Sequence, residues 1–166
     1  MAAGSTYTPI ATTTLGSTTT SYTFTSIPST YTDLILIITG NANAGTNPVI
    51  QFNSDTGSNY STTYLTGNGS AASSSRQTSA TSILPDYNGY MTSTSNAIII
   101  SQIMNYSNTT TYKTVLNRGN AAATGTDATV GLWRNTSAIN SITILTGSSN
   151  TFSVGNTFTL YGIAAA

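Results

Sequence analysis

Hydrophobic positions along this chain fall in short runs, separated by stretches rich in Ser, Thr, Asn and Gly, and none sustains a helical period. The longest run, Leu34-Ile35-Leu36-Ile37-Ile38, opens after Asp33 and ends at Thr39-Gly40. Its β-branched content and bounding turn residues predict a strand buried on both faces, and it is too short to span a membrane. Together with Ser21 to Ile27 it forms a unit of strand, corner and strand, Ser21 to Gly40, around which the rest of the chain is arranged. Pro28 makes the corner because it cannot donate a ladder hydrogen bond.

Further strands are predicted on either side of this unit. Val49–Asn53 and Tyr60–Leu65 read as a hairpin, with Ser54-Asp55-Thr56-Gly57-Ser58-Asn59 as its turn. Asn96–Met104 reads as a second buried run and Thr111–Asn117 follows it through a turn. In Thr129–Arg134, Val130, Leu132 and Arg134 share one face; then comes Ile139–Leu145. In Thr157–Ile163, Phe158, Leu160 and Gly162 share a face. Residues 1–20 read as an extended N-terminal arm with an edge strand at Tyr7–Thr13, ordered only when neighbouring molecules hold it. Residues 66–96 read as a long surface excursion anchored by Ile83-Leu84, Tyr87, Tyr90 and Met91. The expected fold is all-β: a two-sheet antiparallel β-sandwich, jelly-roll-like, of about nine strands over residues 21–166.

Composition narrows the function. The chain of 166 residues carries four basic and four acidic side chains, no His and no Cys. All four acids are aspartates: Asp33, Asp55, Asp86 and Asp127. A net charge of zero gives no basic field for nucleic acid, and no polybasic or amphipathic segment suits a membrane surface. The lack of Cys and His removes disulfides, thiolate metal sites and the usual general base, so neither a cofactor nor an enzymatic activity is expected. Met1-Ala-Ala-Gly-Ser-Thr has no signal-peptide pattern, so export by the usual route is not expected, and a protein made inside a cell and released by lysis fits.

Three constellations carry chemistry on paper. Asp55-Thr56-Gly57-Ser58 matches half of an aspartic-protease dyad, but that chemistry needs two such aspartates, and a turn explains the same residues. The spacing Asn53-x-Asp55-x-Gly57-x-Asn59 has one carboxylate and no closing Glu, too little for a tight calcium loop. Trp133 beside Arg134 suits either a sugar-stacking platform or a core tryptophan. The ten tyrosines, six of them (Tyr60, Tyr64, Tyr87, Tyr90, Tyr106 and Tyr112) near predicted strand ends or loops, suit either an interface or plain strand propensity.

Four segments, in order, carry a resemblance: YTPIATTTLG (Tyr7 to Gly16), FTSIPSTYTDL (Phe24 to Leu34), FNSDTGSNYS (Phe52 to Ser61) and FTLYGI (Phe158 to Ile163). They resemble small β-rich virion structural proteins of tailed bacteriophages. The resemblance implies a capsid decoration (cement) protein that binds the major capsid protein and its own copies, as a homo-oligomer, a trimer, on the capsid surface. The alternative is a tail-fibre or receptor- or carbohydrate-binding module. It implies no catalytic residues.

Overall fold

The computed structural model describes residues 6–164. It is all-β, with no helix among the described residues. The strands are β1 (Tyr7–Thr14), β2 (Ser21–Phe24), β3 (Asp33–Gly40), β4 (Pro48–Phe52), β5 (Tyr60–Gly67), β6 (Ala72–Ala80), β7 (Ala97–Met104), β8 (Lys113–Ala121), β9 (Gly125–Trp133), β10 (Ile142–Thr146) and β11 (Thr157–Ile163). They form an eight-stranded sheet ordered β1-β11-β3-β7-β8-β9-β5-β6 and a three-stranded sheet ordered β2-β10-β4. Every strand pairing is antiparallel. Eleven strands replace the expected nine, because the arm contributes β1 and the excursion contributes β6.

One core lies between the inward faces of the two sheets. Phe24, Ile50, Phe52, Ile142 and Ile144 of the small sheet meet Leu34, Leu36, Ile38, Ile99, Ile103, Phe158 and Leu160 of the large one. The alternation is explicit in β11, where Phe158, Leu160 and Gly162 are buried between half-buried neighbours, as the sequence predicts. Gly162 is required there, since a Cβ would sit 2.2 Å from the Tyr31 ring. Likewise, a Cβ on Gly131 would lie 2.6 Å from Ile83.

The strand–corner–strand unit carries the chain from one sheet to the other, with β2 in the small sheet and β3 in the large. The Ile27 N–H donates to Asn140 O, and Tyr106 Oη donates to Pro28 O. The segment from Val49 to Leu65 is corrected on this point. β4 pairs with β10 and β5 pairs with β6 and β9, so the two are not a hairpin. Their connection is a second sheet-to-sheet corner, with Asn53 and Ser54 both left-handed (φ 50° and 57°). Asn53 pins it across the molecule: Nδ2 donates to Ala138 O, and Oδ1 accepts from the N–H groups of Asn140 and Ser141.

Three further expectations change. Residues 7–14 are not a free arm: β11 supplies their ladder, and Leu15 is buried in the core. Met1–Ser5 lie outside the described residues. Within 66–96, the hydroxyl-rich Ala72–Ala80 pairs with β5 as an edge strand, after which Ile83, Leu84, Tyr90 and Met91 return to the core while Tyr87 stays exposed. The run Ile98-Ile99-Ile100 is buried on one face only. Ile99 is fully buried and Ile98 is 38% exposed, because among the described residues no second sheet covers the outside of the eight-stranded sheet.

Candidate functional site

The outside of the eight-stranded sheet is built by register. One row across the strands reads Tyr161, Ile35, Gln102, Leu116, Val130, Thr63 and Arg76. The next reads Thr159, Ile37, Ile100, Arg118, Ala128 and Leu65. On a solvated sheet these positions are ordinarily polar. Here Leu65 is 63%, Val130 49% and Leu116 42% exposed, and Tyr7, Ile98 and Met104 are exposed beside them. Two hollows mark the surface, one of about 380 Å³ bounded by Tyr7, Ile35, Ile37, Leu116 and Arg118, the other of about 290 Å³ between Leu65, Leu116 and Val130.

Charge on this face is sparse. Arg118 stands among the apolar side chains, and among the described residues its guanidinium forms no hydrogen bond or ion pair. Asp33, at the rim, accepts from Gln102 Nε2 (3.1 Å) and the Asn105 N–H (2.7 Å) but, among the described residues, has no cationic partner. Large contiguous apolar patches are a feature of interaction surfaces. The sequence places Val130, Leu132 and Arg134 on one face correctly; that face is the outer one, and Gly131 and Trp133 point into the core.

Asp55 organises the second corner. It accepts from Trp133 Nε1 (2.7 Å), Asn59 Nδ2 (2.9 Å) and the Gly57 N–H (2.9 Å). Partial burial pushes its pKa up, but these donors outweigh it and hold the carboxyl below the usual range. Trp133 is fully buried between Phe52 and Tyr60, so it offers no stacking platform to a sugar. Arg134 donates to Ser58 O, Tyr60 O and Ser61 Oγ, all on β5 or the turn before it. Burial pushes the Tyr60 hydroxyl up to about 12.

The sequence reading missed a carboxylate pair. Asp86 and Asp127 are both buried and lie close to each other, and Asp86 Oδ1 has no hydrogen-bond partner among the described residues. Burial, then the Asp127 contact, pushes Asp86 up to about 7. Asp86 Oδ2 accepts the Tyr90 N–H, and Asp127 Oδ2 accepts those of Tyr87 (2.6 Å) and Asn88 (3.0 Å). The pair therefore ties the 85–90 loop to β9. One signal was available: Asp127 stands in period two with Trp133, two strand positions from the inward-facing Thr129. Lys113, also buried, donates to Thr111 O and Thr136 O, and burial lowers its pKa. Among the described residues no three carboxylate, imidazole or thiol groups come together to hold a metal. No family model matches this chain, and no curated protein sequence matches it.

Proposed function

We propose that this protein is a virion structural protein of a tailed bacteriophage, a capsid decoration protein that assembles as a homotrimer and stabilises a shell of the major capsid protein. Its two sheets are read as a β-sandwich of jelly-roll type, the smaller sheet covering part of the larger. The observation that carries the proposal is the uncovered apolar outer face of the eight-stranded sheet. At strand spacings of about 4.8 Å and roughly 3.3 Å per residue, such a sheet offers on the order of 1,000 Å². A stable interface needs about 800 Å² per partner.

A second copy is the occupant that fits this face. Interface cores are poor in Lys, Glu and Asp, and this face has none of them inside its rim. The unpaired Arg118 and the rim carboxylate of Asp33 are opposite charges that successive copies can match head to tail, the arrangement that closes cyclic rings. The trimer itself and the capsid location rest on the sequence resemblance. Quantitative mass spectrometry of purified virions tests the role. A decoration protein is expected at hundreds of copies per particle; a handful of copies would place it at the tail instead.

A further inference from the structure

Away from the apolar face, the edge strand β6 and the 81–87 segment border an open cleft of about 630 Å³. Its polar lining includes Asn47, Gln77, Thr78, Ser79, Ser82 and Tyr87, and among the described residues no charged side chain lines it. Several features show a built site. β6 carries one extra residue where its register against β5 shifts, between Tyr60↔Ala80 and Thr62↔Gln77. Ser79 in that bulge is left-handed (φ 53°), a conformation disfavoured for a residue with a Cβ. Bulges of this kind re-aim side chains beside binding sites. Among the described residues, the side chains of Gln77, Thr78, Ser79 and Ser82 form no hydrogen bond within the chain. They bring both donors and acceptors to the cleft.

Tyr87 supplies the apolar element. Its ring stacks on the buried Tyr64 at a centroid distance of 3.8 Å and an interplanar angle of 17°, while 38% of the residue remains exposed. The ring is held in place from behind. Its backbone N–H donates to Asp127, Asn47 Nδ2 donates to its carbonyl, and Gln51 Nε2 donates to Thr81 O at 3.0 Å. Binding groups held on a rigid support lose little entropy on complex formation.

We infer that this cleft binds a neutral carbohydrate, with a pyranose C–H face on Tyr87 and its hydroxyls on Gln77 and the β6 bulge. An uncharged cleft with one aromatic face and several free amides and hydroxyls matches a ligand that is itself uncharged, apolar on one face and rich in hydroxyls. Its volume is within the ordinary range for small-ligand sites, about 300–1,000 Å³. The inference is independent of the outer sheet face, which lies on other residues.

Saturation-transfer difference NMR tests it, with maltotetraose, cellotetraose and mannotetraose as probes of the intact protein. Transfer to the ring C–H protons of at least one probe is expected. Tyr87→Ala and Gln77→Ala should each reduce it at least fivefold, and Leu116→Glu on the outer face should not. Should Tyr87→Ala fail to fold, Gln77→Ala decides alone, because Gln77 lies exposed on an edge strand whose loss of one amide leaves the core untouched. Transfer to none of the three probes, or transfer that survives Gln77→Ala, overturns the inference.

Discussion

Single residues settle several questions that composition leaves open. With only four aspartates, each one is informative. Asp55 serves the corner and Asp33 the rim, while Asp86 and Asp127 lie buried side by side inside the protein. The linkage follows from the direction of each shift. Asp86 holds its proton more tightly folded than unfolded, so its contribution is complete below about pH 4 and is lost as pH rises towards about 7. Stability should therefore fall by roughly 1 kcal/mol per pH unit across that window. Asp86→Asn should flatten the slope, as measured by urea denaturation between pH 4 and pH 7; an unchanged slope would show that Asp86 does not titrate there. Asp55 acts in the opposite sense, its stabilisation being present above its unfolded pKa and lost in acid below about pH 4. Asp55→Ala should cost roughly 1–3 kcal/mol by orphaning the Trp133 indole N–H. The Ser101 hydroxyl is buried with no partner among the described residues. Ser101→Ala should accordingly keep or raise the melting temperature, by the equivalent of about 1 kcal/mol, whereas a hydroxyl that contributes to stability would make it fall.

Elements with a hydrophobic signature were legible in the sequence, and those without one were not. β4, β10 and β11 bury alternate residues against a core and announce themselves by period two, while β3 announces itself by an unbroken apolar run. β6 is exposed on both faces along Ala72–Ser79, so no apolar pattern exists to be read; its ladder to β5 alone makes it a strand. The anchors of the excursion that contains it, Ile83, Leu84, Tyr90 and Met91, were visible as isolated apolar residues. Partnership was harder to read than strand position. A seven-residue connection from Asn53 to Asn59 suits a hairpin, and only the left-handed Asn53 and Ser54, tied to residues 138–141, turn it into a corner between sheets. The Asp55–Trp133 and Asp86–Asp127 contacts share this origin: their partners are far apart in sequence and meet only through sheet order. Gly131→Ala tests the register at element scale. Its Cβ would collide with Ile83, so a loss of roughly 1–3 kcal/mol is expected in thermal unfolding, and a neutral result would mean that Ile83 packs elsewhere.

The whole molecule has an asymmetric distribution of polarity. Its inward side includes a buried row of Ser101, Asn117 and Thr129 next to the hydrocarbon core, while its outward side shows Leu65, Leu116, Val130 and Ile98 to solvent. A sequence reading that treats Ile98-Ile99-Ile100 as wholly buried is thus half right for the isolated chain, and fully right if a second copy covers the face. Whether a second copy covers that face is decided by the mass of the protein in solution. Light scattering coupled to size-exclusion chromatography at micromolar concentration should give three times the chain mass of 17.1 kDa for the unmodified protein. The double variant Leu116→Glu/Val130→Glu, which alters only exposed positions, should give the mass of one chain with its melting temperature kept. A monomeric unmodified protein, or a folded variant that keeps the oligomer mass, would contradict the claim.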